Sequence, residues 1–338
     1  MLIENPVNIG HGNTQEHYQN RASSYAVLIL LITAISLVPQ SAYASKCLFI
    51  SSYHQGYAWA DGVELGIRFT LNNKCELRQF DMDTKRHKKQ SFAKKKALEA
   101  RNIIESWHPD IVIVADDNAV KYVLQKYYKD AAIPFVFCGV NWTADEYNFP
   151  YKNATGIIEV APIRPLLDEV VSLLPRAKRA LYIGANTGTE TKNYERFEKA
   201  TAQMSIHLDS VLADSVKQWL AAYKKAQQYD FVIIGSNAGI PGWERDAILS
   251  NITRVSKKLS ITSHEWMMPY TMLGFTKIAE EQGELAARAA LSILDGTDIS
   301  SIAIVPNRKW EIWSNVSLLN ASGIQPGDAL MLKSKHVN

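Results

Sequence analysis

Cysteine is scarce in this chain, and apolar runs of membrane length are scarcer. Three cysteines among 338 residues, none at short paired spacing, do not make a zinc site. After residue 38 no segment is long and apolar enough to cross a bilayer, and no low-complexity stretch interrupts the pattern. Catalytic spacings are missing too. His264-Glu265 lacks the second histidine of H-E-x-x-H, Gly235-Ser236 is not a G-x-S-x-G elbow, and residues 184–188 form neither a P-loop nor a dinucleotide fingerprint. No nucleophile, base or metal set stands at a working spacing, so an enzyme is not expected, nor is a cofactor or a metal. Strong charge of one sign is also absent, the formal net charge being +3. The basic excess sits in KRHKKQSFAKKK, Lys85 to Lys96, which reads as a solvated face or as a rim that steers an anionic partner.

What is present suits a globular protein of about two domains, with 47% hydrophobic and 21% charged residues. Residues 26–38, AVLILLITAISLV, follow Arg21 and precede Ala42-Tyr43-Ala44. They read as a secretory signal with an A-x-A cleavage site, too short for a membrane span. Residues 1–44 are then leader and signal peptide, the polar stretch before the signal being either a dispensable leader or the product of a misplaced start codon. The mature chain starts at Ser45. Export makes nucleic acid an improbable partner and places the cysteines in an oxidising compartment. Cys47 and Cys75 each open a predicted strand, and if those strands are neighbours their ends lie within disulfide reach. A Cys47–Cys75 bridge is expected, with Cys138, inside PFVFCGV, a buried small hydrophobe. Lys46 stands where a lipoprotein signal needs a small residue, so a protein free in the periplasm is expected.

Leu48 to Ile67, LFISSYHQGYAWADGVELGI, reads as strand, loop and helix. The alternation continues, with strands near 76–81, 111–115 and 135–138 and helices near 61–71, 92–107 and 119–128. A second series has strands at 180–184, 210–212 and 231–235, with helices near 194–204, 216–227 and 245–259, and a further helix spans 279–294. This is α/β, two similar doubly wound, Rossmann-like lobes. Gly139 to Ala161, rich in aromatic, Asn and Pro residues, reads as the first passage between lobes.

In such folds ligands sit beyond the carboxyl ends of the strands. The candidate ligand contacts in the first lobe are Ser52, Tyr53, Tyr57, Trp59, Asp116, Asp117, Asn141 and Trp142. In the second lobe they are Asn186, Thr187, Thr189, Ser236, Asn237, His264, Glu265 and Trp266. Plainer roles stand beside these: Tyr57 and Trp59 as packing for the first helix, an Asp as helix cap, His264 as a hydrogen-bonded structural histidine, and Asn186, Thr187 and Thr189 as turn and cap residues.

SYHQGYAW with a following GI, then ADDNAVKYV, PFVFCGVNW, ATGIIEVAPI, GFTKIAEEQGELAARAALSIL and VPNRKWEIWSN together resemble the ABC-transporter substrate-binding protein family of the type I periplasmic fold. The resemblance spans Lys46 to Ile324. It implies an N-terminal lobe of residues 45–140 and 273–304 and a C-terminal lobe of residues 141–272 and 305–338. Hinges would lie near Gly139 to Asn141, Met272 to Gly274 and Val305 to Arg308. The implied function is a monomeric periplasmic binder that closes on a small organic ligand, amino-acid or amine-like with aromatic ones among the options, and delivers it to an ABC permease. The alternative is a module that senses its ligand and reports to a separate membrane signalling protein.

Overall fold

In a computed structural model, residues 45–337 are described, together with Met1; the expected leader and signal peptide lie outside the described residues. Five of the first strands are β1 (Lys46–Ser51), β2 (Glu76–Asp81), β3 (Ile111–Ala115), β4 (Phe135–Asn141) and β5 (Ala154–Glu159). The second lobe contributes β6 (Arg179–Ala185), β7 (His207–Ala213), β8 (Phe231–Ile234), β9 (Leu259–Thr262) and β10 (Leu273–Lys277). The chain ends with β11 (Val305–Pro306), β12 (Trp310–Asn315) and β13 (Lys335–Val337). One sheet has the order β11-β5-β4-β3-β1-β2, the other β13-β12-β10-β9-β8-β6-β7. All pairings are parallel except β10 with β12. The two α/β lobes are as the strand and helix alternation predicts.

The central strands are apolar without alternation because helices cover both faces of a parallel sheet. In β1, Leu48 and Ile50 enter one core cluster while Cys47 and Phe49 enter the cluster on the opposite face. Ile111 and Ile113 divide from Val112 and Val114 in the same way across β3. The strands are thereby fixed in the middle of three layers. Cys47 and Cys75 are bridged, with their Cα atoms 6.0 Å apart, and Cys138 is free and buried.

Helix Ala279–Leu294 follows a strand of the second sheet yet packs on the first lobe, against helix Ala58–Leu71. Glycines permit this contact. A Cβ on Gly66 would fall 2.1 Å from the Glu280 carbonyl oxygen, and one on Gly283 would fall 2.0 Å from that of Val63. Glycine inside a helix costs about 1 kcal/mol relative to alanine. Here the loss is offset by backbones that meet directly.

The lobe passages only partly coincide with the expected hinges: the crossing after β11 overlaps Val305 to Arg308, while the other two lie beyond Gly139 to Asn141 and Met272 to Gly274. Gly139–Asn141 belongs to β4, and ATGIIE forms β5 beside it, so the first sheet extends to Glu159. Gly156 hid that strand: a glycine weakens a strand pattern, yet here a Cβ would lie 2.2 Å from the Phe137 carbonyl oxygen. Leu273 and Gly274 sit inside β10 of the second sheet, and Val305 and Pro306 in β11 of the first. The chain therefore changes lobe at residues 160–162, at 278 and at 307–309. The lobe boundaries at residues 140/141, 272/273 and 304/305 shift accordingly, because strand pairing, not composition, decides which lobe holds a segment.

Side chains bind these passages together. Asn307 Oδ1 accepts from the Val160 amide at 2.7 Å and from Gln282 Nε2 at 3.3 Å, while Gln282 Oε1 accepts from the Gly139 amide at 2.9 Å. The Glu281 carboxylate accepts from the amides of Arg308 and Lys309 at 2.9 and 2.8 Å. One turn of helix thus gathers all three crossings.

Candidate functional site

The carboxyl ends of β1 and β3 build the first half of the site. Ser52 closes β1, and its hydroxyl donates to the Ala115 carbonyl at 2.6 Å and accepts from the Ala119 amide at 2.8 Å. Buried and with both hydroxyl roles filled inside its own lobe, it shapes the loop. Tyr53 and Tyr57 meet edge to face at 5.3 Å, and the Lys85 ammonium stands over both rings at 4.9 and 4.7 Å. Such contacts favour a cation on an aromatic face. The basic run is largely exposed, as expected, and its first lysine, itself exposed, also reaches these two rings.

Asp116 follows β3 with φ +67°, a left-handed conformation that Asp and Asn tolerate better than most residues. Its side chain is 2% exposed overall, one oxygen accepts from the Trp59 indole at 3.1 Å, and Oδ2 has no protein partner. Burial, then the nearby charges of Glu159 and Asp117, hold its pKa well above the ordinary carboxyl range. Burial, then Asp116 and Asp117, push the Tyr53 hydroxyl up as well. Gly139 leaves the space: a Cβ there would lie 2.8 Å from Asp116 Oδ1. Asp117 instead serves its own lobe, accepting from Tyr147 at 2.6 Å and from Asn141 at 2.7 Å. Trp142, also at positive φ, packs its ring on the core of the second lobe with the Arg196 guanidinium 5.2 Å above it.

In the second lobe Thr187 caps helix Gly188–Ala202, accepting from the Glu190 amide at 3.3 Å. Asn186 pairs with Asp214 at 2.9 Å, and Thr189 is exposed in the first helical turn. These three are turn and cap residues. Glu190 was not among the sequence candidates, although Thr187 and Glu190 have the T-x-x-E spacing of a capping box. Its carboxylate turns inward and accepts from Tyr182 at 2.6 Å, from the Ser236 amide at 2.8 Å and from Asn193 at 2.7 Å. Gly184 and Gly235 make room, since Cβ atoms there would stand 2.6 and 2.1 Å from Glu190 Oε2. Burial raises the Glu190 pKa against these donors.

His264 lies beside this network, its Nε2 3.8 Å from Glu190 Oε1 and its Nδ1 buried without a protein partner. Burial, helped by the Lys277 charge, lowers its pKa to about 3, so the imidazole is neutral at physiological pH. The exposed Trp266 ring stands 4.6 Å from it. Glu265 is exposed, and Ser236 and Asn237 chiefly hold the loop after β8 through backbone contacts. Lys277 and Glu159, also absent from the sequence candidates, end β10 and β5 and form an ion pair at the hinge. The Lys277 ammonium also lies 5.2 Å over the Trp59 ring. Sequence reasoning had no signal for a pair 118 residues apart.

Cavities also occur away from the strand ends. One of about 500 Å³ lies between helices Val216–Ala226 and Arg245–Val255, and one of about 380 Å³ lies beside β5 and β11. Neither gathers buried polar groups without partners, so the strand-end cluster is the better candidate. Among the described residues no cluster of His, Cys, Asp and Glu could hold a metal ion, and no helix is long and apolar enough to cross a membrane.

No protein family and no curated protein matches the sequence. Solved structures do match. A ligand-free, open substrate binding protein with adhesive properties from Clostridium difficile superposes with a TM-score of 0.67 at 13% identity, covering 87% of this chain and 99% of that one. An ABC domain in complex with L-Trp from Streptococcus pneumonia gives 0.62 at 13% identity, covering 87% and 100%. A periplasmic ribose ABC transporter from Conexibacter woesei gives 0.57 at 12% identity, covering 87% and 99%. With the two-sheet order and three crossings, these likenesses settle the architecture: the chain has the type I periplasmic binding protein fold.

Proposed function

We propose that the mature protein is a periplasmic solute-binding protein that closes its two lobes on a small organic ligand, amino-acid or amine-like, and delivers it to an ABC permease. The observation that carries this reading is the buried, unpartnered oxygen of Asp116, set among Tyr53, Tyr57 and Trp59 beside the hinge. A buried carboxyl oxygen without a partner is costly, and a ligand donor would satisfy it. The aromatic rings supply apolar contact, one face of each being already covered by a lysine, Lys85 on Tyr53 and Tyr57 and Lys277 on Trp59. Solved structures of the same fold include proteins described with L-Trp and with 5-methylthioribose, so fold alone does not select the ligand class. The strand-end chemistry favours an ammonium. The reading is of a binder and not of an enzyme.

A thermal-shift screen of the mature chain against aromatic amino acids, amines, short peptides, sugars and inorganic anions tests it. A ligand at 100 times its Kd adds about 2.7 kcal/mol to the folded state. Amines or amino acids should raise the melting temperature. A screen in which only sugars or inorganic anions do so would refute the reading.

A further inference from the structure

Two buried polar atoms without protein partners belong to the strand ends, one in each lobe: Asp116 Oδ2 and His264 Nδ1. The others among the described residues have different settings. Those of Tyr128, Trp219 and Trp243 belong to residues packed in the lobe cores, and His54 Nδ1 is 3.4 Å from Asp83. Lys277 links the two strand-end groups. It pairs with Glu159 and covers Trp59 on the Asp116 side, and its charge is felt by both Glu190 and His264 on the other.

The hydrogen-bond roles of the two atoms follow from their neighbours. The Glu190 oxygens accept from Tyr182, the Ser236 amide and Asn193, and this carboxylate, 3.8 Å from His264 Nε2 and beyond hydrogen-bond range, favours by its charge the tautomer with the proton on Nε2. Nδ1 is then an acceptor. Asp116 Oδ2 is an acceptor whenever its carboxyl is ionised, the form that an arriving cation favours.

Building on the binding role proposed above, we propose that the ligand carries hydrogen-bond donors at both ends: an ammonium for Asp116 in the first lobe and a second N–H or O–H for His264 in the second, with an apolar middle against the aromatic rings. Such a ligand satisfies both lobes only when it spans them. His264 becomes a specificity residue, with Glu190 fixing its tautomer as a positioning residue. Gly184 and Gly235 exist in this arrangement to admit the Glu190 carboxylate.

Calorimetric titration of the mature protein with matched amines tests this. The pairs are tyramine and 4-methoxyphenethylamine, tryptamine and 1-methyltryptamine, and 1,4-diaminobutane and butylamine. In a pair that binds, the two-donor member should bind about tenfold tighter or more, because its counterpart leaves a buried acceptor unpaired. His264→Phe should weaken the two-donor member to the level of its counterpart and leave the counterpart unchanged. His264→Gln, which offers a carbonyl oxygen, should retain part of the difference. Equal affinities within the pairs, or equal weakening of both members by His264→Phe, would overturn the two-donor inference alone. Failure of every amine to bind, with sugars binding, would overturn it together with the functional reading beneath it.

Discussion

Asp116→Asn should lower affinity for a cationic ligand about a hundredfold, some 3 kcal/mol, the scale measured when a buried charge pair loses one partner. It should not cost stability. Asp116 has a folded-state pKa above its unfolded value, so its contribution is most favourable at low pH and is lost as pH rises through the folded pKa. At neutral pH the folded state bears the cost of a buried carboxyl hemmed in by Glu159 and Asp117. Asparagine removes that cost, and it tolerates the φ of +67° that would strain most side chains. Its side chain can still accept from the Trp59 indole. A variant with unchanged melting temperature and unchanged affinity would show that Asp116 is only a buried structural acid. Calorimetry on wild type and variant, with the same amine, separates the cases.

Joint replacement of Cys47 and Cys75 by serine should cost about 3.5 kcal/mol, the loop-closure value for a bridge across 28 residues. For a chain of this size that is a fall of roughly 6 °C in melting temperature. The bridge joins the start of β1 to the residue before β2, where Lys46 pairs with Glu76. These two strands form the sheet edge beneath the Tyr53 and Lys85 loops. Labelling of the denatured, unreduced protein should find one free thiol, that of Cys138. Three free thiols, or a serine variant as stable as the wild type, would refute the assignment.

The fold was legible where burial leaves a local trace. IVIVA and PFVFCGV read as buried parallel strands because both faces of each strand are covered, and the positions of Cys47 and Cys75 pointed to neighbouring strand ends. Asp116 and His264 could be picked out because acids and histidines after strands stand at the edge where ligands bind in this fold class. Glu190 could not. Its spacing from Thr187 is that of a helix cap, and only the opening left jointly by nearby Gly184 and by Gly235, which the sequence alone does not bring to it, draws the carboxylate under the loop. Lys277 and Glu159 were missed for the same reason, as their pairing exists only once β5 and β10 end side by side at the hinge. The first lobe passage moved because a strand with a glycine at its centre looks like a linker until Phe137 is seen packed against it.

The central claim is that the lobes close on a ligand and that the closed shape is what a membrane partner reads. Small-angle scattering from the mature protein, alone and saturated with the tightest-binding amine from the screen, tests it most directly. The account predicts a smaller radius of gyration in the bound state, from rotation about residues 160–162, 278 and 307–309. An unchanged radius alongside binding confirmed by calorimetry would contradict it.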